Sequence, residues 1–232
     1  MTSAAPAARP TAPRDESELL ARARALAGTS VGELARALGL PLTGDGVHTK
    51  GKVGTLVEAA LGATGGSRAV HDFPELGVEL KTIPVDAAGR PRESTFVCAL
   101  PLEGLERAEW PTSWVRKKLA RVLWVPIVTP SAHGAFAERT LRAPVLWAPT
   151  REQEEVLASD FDEIVGTIAI GGIEGLTART GRWLQLRPKA ADGTPRAVAY
   201  GSDGEAIPTV ARGFYLRSRF TGAILADPAA TP

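Results

Sequence analysis

The sequence predicts an α/β (α+β) fold, a mixed sheet flanked by helices, and three observations carry that expectation. Apolar residues recur at helical spacing behind capping residues at Asp15, Ser30 and Thr150. Short runs rich in β-branched and aromatic residues, bounded by glycine or proline, alternate with these helices and read as strands. No internal repeat is present, and 232 residues of ordinary apolar content can bury the core of one domain, or of one domain in two lobes.

Asp15 and Glu18 form a capping pair ahead of a helix with Leu19, Leu20, Ala23 and Leu26 on one face, which Gly28 ends. Ser30 and Glu33 make a capping box for a second helix, with Val31, Leu34, Ala35 and Leu38 as its stripe and Gly39 and Pro41 as its stop. Residues 43–51 read as a loop carrying Lys50. Leu56, Val57, Ala60 and Leu61 recur at helical spacing within 54–61, and residues 62–67 link this helix flexibly to a strand at 78–84. A turn at 86–89 is expected to join that strand to a neighbour at 93–100, the pair forming one floor. Residues 114–121 read as a short helix running into a strand at Val122–Val128, and residues 144–147 as another strand. Thr150 caps a long helix through Ile168, with Val156, Leu157, Phe161, Ile164, Val165 and Ile168 buried and early acids complementing the dipole. Strands at 183–186 and 214–217 flank a glycine-rich loop at 192–204, and a last helix spans 218–225. Residues 1–14, rich in Ala and Pro, read as a disordered tail, 15–225 as a single two-lobed domain and 226–232 as a flexible tail.

The chemistry-bearing segment is 72–84. Residues two apart on a strand share a face, so Glu79 and Lys81 project together while Val78 and Leu80 pack behind them, with Asp72 upstream at the Pro74 turn. A phosphodiester is anionic, so attack by hydroxide needs charge neutralisation, which a hard divalent cation held by carboxylate oxygens supplies. Asp72 and Glu79 are the expected ligands. Lys81, a compact point charge, would orient water or stabilise the charge developing at phosphorus. The same short pattern also fits a solvated edge strand with Glu79 and Lys81 as an ordinary exposed pair. Glu58, an isolated acid beside an apolar helix face, is either turned to solvent or a further metal ligand.

The formal net charge is only +1, but charge is segregated along the chain. Between Leu176 and Phe220 eight basic residues (Arg179, Arg182, Arg187, Lys189, Arg196, Arg212, Arg217, Arg219) stand against three acids (Asp192, Asp203, Glu205). Residues 151–163 hold six acids and one base. A basic segment beside a carboxylate-rich centre suits an enzyme that grips phosphate and cuts it, although a charge run is commonly just a solvated face. No apolar run reaches membrane-spanning length, so no membrane association is expected. The only cysteine, Cys98, excludes an internal disulfide and reads as a small core residue, and residues 1–14 lack the apolar core of a signal peptide. These features predict a cytoplasmic protein.

Longer blocks go further than the acidic motif. Asp72-Phe-Pro-Glu-Leu-Gly-Val-Glu-Leu-Lys-Thr-Ile-Pro-Val-Asp86 is followed in order by Gly89-Arg-Pro91, Thr95-Phe-Val-Cys98 and Lys118-Leu-Ala-Arg-Val-Leu-Trp-Val-Pro126, then by Leu186-Arg-Pro-Lys-Ala190 and Arg212-Gly-Phe-Tyr-Leu216. On these blocks the chain, from Asp15 to Leu225, resembles the MutH family, the strand-nicking endonucleases of methyl-directed DNA mismatch repair. The resemblance implies a restriction-endonuclease-like core with two lobes around a DNA-binding cleft, acting as a nucleoid-associated monomer. It implies as substrate a hemimethylated GATC duplex, nicked on the unmethylated strand 5′ of the G to leave 5′-phosphate and 3′-hydroxyl ends. It implies Asp72, Glu79, Lys81 and Glu58 as catalytic residues. Mg2+, with Mn2+ as a substitute, would be held by Asp72, Glu79 and the Leu80 carbonyl, with Glu58 as a further ligand. Activation by ATP-bound MutL, after MutS has found a mismatch, is implied as well.

By position the resemblance also marks DNA-reading residues. Lys50, in Lys-Gly-x-x-Gly, and Arg187 and Lys189, in Arg-Pro-Lys, resemble the family's base readers, and Arg or Lys donating to guanine O6 and N7 is the commonest direct contact. Phosphate gripping fits any one of them equally. Tyr215 resembles a tyrosine near adenine N6, where an added methyl would lose a hydrogen bond and clash; the alternative is a strand tyrosine with a core-facing ring. Arg116, Lys117, Lys118, Arg121, Arg212 and Arg217 are assigned to DNA phosphates, a solvated helix face being the other reading of the first four. His71 is read as an incidental flank of Asp72. Two further functions use the same residues: a restriction endonuclease cutting both strands of GATC, and a non-catalytic DNA-binding repair protein.

Overall fold

The computed structural model describes residues 10–40, 42, 50–66, 69–101, 107–129, 135–177, 179–189, 197–200 and 205–230. Its helices are α1 (Glu16–Ala25), α2 (Val31–Ala37), α3 (Lys50–Leu61), α4 (Trp114–Leu119), α5 (Arg151–Ala169) and α6 (Ser218–Ala226). Its strands are β1 (Glu79–Val85), β2 (Thr95–Ala99), β3 (Val122–Val128), β4 (Thr140–Leu141), β5 (Val145–Trp147), β6 (Leu184–Pro188), β7 (Ala197–Tyr200), β8 (Ala206–Thr209) and β9 (Arg212–Leu216). The chain divides into two units, one of residues 1–92 and 121–147, the other of 93–120 and 148–232.

In the first unit β3 is central because its side chains are apolar and almost wholly buried, the composition of a strand covered on both faces. It pairs in parallel with β1, Glu79 opposite Val122, and antiparallel with β4 and β5. Pro126, which has no N–H, is tolerated inside β3 because it falls between the residues paired with β5 (Val122–Trp124) and those paired with β4 (Ile127 and Val128). Leu19, Val31, Leu34, Leu56, Val57 and Leu61 of α1 to α3 bury against Leu80, Leu123, Val125 and Ile127 of the sheet. Both expected caps form. The Asp15 side chain accepts the Glu18 N–H, and Ser30 and Glu33 cap reciprocally.

Three expectations in this unit are corrected. The third helix starts at Lys50, so Lys50 and Gly51 are helical rather than part of a loop; residues 43–49 of that loop lie outside the described residues. Residues 11–14, expected in a disordered tail, are tethered: Arg22 Nη1 donates to Thr11 O at 2.6 Å, Pro13 is buried and the exposed Arg14 pairs with Glu18. The strand beside β1 is β3, not β2. The 86–89 turn does form, with Asp86 N–H donating to Arg90 O and Gly89 at φ 83°, but the pairing ends in a single bridge at Val85 and Pro91. Arg92 N–H still donates to Pro84 O, but Pro84 has no N–H with which to return the bond, and the chain leaves for the second unit.

In the second unit β9 is the middle strand of the antiparallel sheet β2-β9-β6. Phe161 of α5 stacks on Phe214 of β9 at 5.7 Å between centroids, and Trp183 stacks on Phe220 of α6 at 4.3 Å. Thr150 caps α5 in a full capping box with Gln153. Val156 and Ile168, expected in the core, are only partly buried, and Gln153 and Asp160 are buried instead. Asp160 is satisfied there by three backbone N–H groups, of Arg182, Trp183 and Leu184 at 2.7, 2.7 and 2.8 Å. The loop expected at 192–204 contains β7, which pairs with β8; residues 192–196 and 201–204 lie outside the described residues. Helix α6 runs to Ala226, and Gln153 Nε2 donates to the carbonyls of Pro228 and Ala230, so this part of the expected flexible tail is held in place. Among the described residues no helix is long and apolar enough to cross a membrane.

Candidate active site

The short helix Pro74–Leu76, closed by Gly77 at φ 63°, turns the chain so that Asp72 comes back beside β1. Asp72 Oδ2 accepts the Leu80 N–H at 2.7 Å. Glu79 N–H instead donates to Arg121 O across the ladder to β3, so alternate residues of β1 direct their backbone groups to opposite sides. Leu80 therefore presents its carbonyl, like its N–H, to the open edge of the sheet where Asp72 lies. Lys81 Nζ donates to Glu79 Oε1 at 2.8 Å, as expected for residues sharing a strand face. The pair is not the exposed one of the alternative reading: Glu79 is 4 % exposed.

Glu58 joins this centre from α3. Its carboxyl is pushed above the usual range by burial, then by the negative charges of Asp72 and Glu79, with Lys81 opposing. Gly54, one turn earlier on α3, leaves open the space beside that carboxyl: a Cβ there would sit 3.7 Å from Glu58 Oε1 and 3.7 Å from Thr82 Oγ1. Among the described residues no three His, Cys, Asp or Glu side chains converge closely enough to hold a metal by themselves. A set formed by the Asp72 and Glu79 carboxylates and the Leu80 edge carbonyl would fit magnesium, which binds through one or two carboxylates and keeps several waters or phosphate oxygens.

A second cluster lies on the β2-β9-β6 sheet. Arg187 and Lys189 leave the end of β6, and Tyr215 lies on β9 opposite Gln185 and Phe96. Arg187 Cζ is 5.8 Å from the Tyr215 ring centroid and Lys189 Nζ is 5.2 Å from that of Phe96. The two rings meet edge-on at 5.3 Å. Phe96 settles over the strand because position 213 is glycine: a Cβ there would lie 2.7 Å from Phe96 Cε2 and 2.9 Å from Cys98 O. Tyr215 is half-buried, its ring on the face opposite Phe214 and Leu216, so it does not face the core. Phe96 was not singled out from sequence. Its partners come from β9, more than a hundred residues away, and no local pattern reports that pairing.

The structure gathers Asp72, Glu79, Lys81 and Glu58 in the first unit, and Arg187, Lys189 and Tyr215 in the second. Lys50 opens α3, and its side chain lies outside the described residues. The cations expected on phosphates are largely engaged within the protein. Arg116 Nε donates to Glu154 at 2.6 Å, Arg121 Nε to Glu16 at 2.7 Å, and Arg217 Nη2 to the carbonyls of Thr180 and Gly181. Arg212 is a correction. Its side chain is 8 % exposed and pairs with Glu174 at 3.1 Å, which makes it a tie within the second unit rather than a surface phosphate contact. Lys117 is exposed and Lys118 Nζ sits 5.0 Å from the Trp114 ring centroid.

A mixed sheet whose edge strand carries a buried Glu-x-Lys pair beside an upstream aspartate defines a nuclease core of the restriction-endonuclease type. Comparison with known proteins agrees. The family model described as "DNA mismatch repair enzyme MutH" matches residues 61–160. The DNA mismatch repair protein MutH of Serratia proteamaculans is 50% identical over 217 residues, 94% of this chain and 95% of its own. That of Pectobacterium atrosepticum is 48% identical over 215 residues, 93% of each chain, and that of a Klebsiella pneumoniae strain 48% over 226 residues, 97% and 96%. The chain belongs to the MutH family and is a DNA mismatch repair endonuclease.

Proposed function

We propose that the protein nicks the unmethylated strand of hemimethylated GATC duplexes 5′ of the G, in a magnesium-dependent hydrolysis that leaves 5′-phosphate ends. The observation that carries the reading is the joining of Asp72, Glu79 and Lys81 at one sheet edge, Asp72 through the Leu80 amide and Glu79 through Lys81. Magnesium bound by Asp72, Glu79 and the Leu80 carbonyl would neutralise the phosphate and acidify water. Lys81, positioned by Glu79, donates its remaining N–H groups to the water or to the phosphoryl oxygens as charge builds on them. Glu58, holding its proton more tightly than an ordinary glutamate, would exchange one with solvent at the site. Arg187, Lys189 and Tyr215 read the base edges. MutL in its ATP-bound state is the activating partner, after MutS has engaged a mismatch, and the setting is cytoplasmic.

The test is a nicking assay on unmethylated, hemimethylated and fully methylated GATC duplexes, with Mg2+, Mn2+ and a chelator. Cutting of one strand only in the hemimethylated duplex, lost with chelator, is the expected result. Double-strand cleavage of unmethylated GATC without single-strand preference would make it a restriction enzyme. DNA binding without cutting under every metal condition, MutL included, would make it a scaffold.

A further inference from the structure

Ser94, the residue before β2, meets two side chains of β6 although β9 lies between those strands in the sheet. Its Oγ accepts from Gln185 Nε2 at 2.7 Å and from Arg187 Nη1 at 3.2 Å. Gln185 and Arg187 are two apart on β6 and therefore share a face, opposite Tyr215 and Gly213 of β9. Gln185 is 3 % exposed, so its amide is held by packing and fixes the serine in turn. We propose that Ser94 is a positioning residue for base recognition: with the Tyr215 ring on its other side, its hydroxyl holds the Arg187 guanidinium at the orientation in which it meets a guanine edge. This rests on the reading of Arg187 as a base reader.

The chemistry explains why a hydroxyl suits this place. An unrestrained arginine on a strand surface has many rotamers, and ordering them on DNA binding costs affinity and blurs the geometry of a bidentate contact. A carboxylate would restrain it but cancel its charge, as Glu174 does for Arg212 in the same unit. A serine oxygen has two acceptor lone pairs, here taken by Gln185 and Arg187, and it uses one of five guanidinium N–H groups. The charge is left intact, and more than the two donors needed for guanine O6 and N7 remain. The aromatic face of Tyr215 supplies a second restraint that consumes no donor.

The experiment compares the full-length protein with Ser94→Ala, Ser94→Thr and Arg187→Ala variants. Nicking kcat/KM is measured on GATC and on every single-base-pair variant of the site. Ser94→Ala is expected to relax discrimination about tenfold at the same base pair that Arg187→Ala relaxes, leaving the other positions unchanged, with a small fall in Tm because the buried Gln185 amide loses its acceptor. Ser94→Thr, which keeps the hydroxyl, should stay within about twofold of the parent. Equal slowing of Ser94→Ala on all sites would overturn the proposal. So would intact discrimination in Ser94→Ala beside lost discrimination in Arg187→Ala. If Arg187→Ala itself discriminates normally, the reading of Arg187 falls and the proposal with it, a result distinct from failure of Ser94 alone.

Discussion

Asp72 Oδ2 and the Leu80 N–H are joined at 2.7 Å, so the position of one expected metal ligand is set by the backbone of the strand that carries the other. Two carboxylates brought to one sheet edge repel each other, and a rigid tie of this kind keeps them together in the absence of a cation. Glu58 feels them too: its carboxyl is pushed upward by burial first and then by the same two charges.

The tie separates the geometric role of Asp72 from its charge. Asp72→Asn keeps an oxygen able to accept the Leu80 N–H, so its stability should stay within about 1 kcal/mol of the parent. Nicking should fall by about a hundredfold or more and require higher Mg2+, because one anionic ligand is gone. Metal titrations of the nicking rate beside thermal melts check both. An unchanged metal requirement would remove Asp72 from the ligand set.

Glu79→Ala and Lys81→Ala should abolish nicking while duplex binding, measured by mobility shift, is largely kept. Lys81→Ala also leaves the Glu79 carboxylate buried without its ammonium, at a cost of about 3 kcal/mol. Lys81→Arg should not rescue cutting, since a planar fork cannot replace a compact ammonium in so small a space. Retained nicking in both alanine variants would move the active site elsewhere.

Glu58 gives a stability prediction with a definite sign. Its folded-state pKa lies above the ordinary 4.5, chiefly through burial and then through Asp72 and Glu79, so the folded protein binds this proton more tightly than the unfolded chain. Stability from this group is therefore present below pH 4.5 and is lost as pH rises past 4.5 and through the folded value. In metal-free buffer at pH 7 to 8, Glu58→Gln should melt higher than the parent, and the gap should close toward acid pH. Added Mg2+ should raise the parent's Tm more than the variant's. A variant that melts lower at neutral pH would mean that the charged carboxylate is stabilising.

What the sequence made legible was local. Asp15, Ser30 and Thr150 are read as caps because capping involves residues three or four apart, and β3 is read because its apolar run needs no partner to be recognised. The Glu79 and Lys81 pair followed from a period of two. The pairing of β2 with β9 was not legible: the turn at 86–89 is a sound hairpin signal, and only the whole chain shows that the ladder stops at Arg92 and that Phe96 belongs beside Tyr215. The basic residues were visible but their partners were not, which is why Arg212 reads as a phosphate contact until Glu174 is seen against it. Gln153 and Asp160 break the apolar stripe of α5 because remote backbone groups satisfy them.

Tyr215 allows the ring and the hydroxyl to be separated. The ring is held edge-on by Phe96 and carries Arg187 above it, whereas a hydroxyl near adenine N6 would distinguish an amino group from a methylamino group. Tyr215→Phe keeps the ring, and should lower the preference for the unmethylated strand while leaving the cutting of unmethylated GATC within a few-fold of the parent, a loss of about 1 kcal/mol. Tyr215→Ser removes the ring as well. It should weaken strand discrimination more than it weakens cutting, and it should add relaxed base specificity, because Arg187 loses the face it rests on. Nicking rates on the two hemimethylated orientations and on unmethylated duplex measure the first two effects, and rates on single-base-pair variants of the site measure the third. Equal losses of cutting and discrimination in Tyr215→Ser, with no effect in Tyr215→Phe, would show that the tyrosine only supports the sheet.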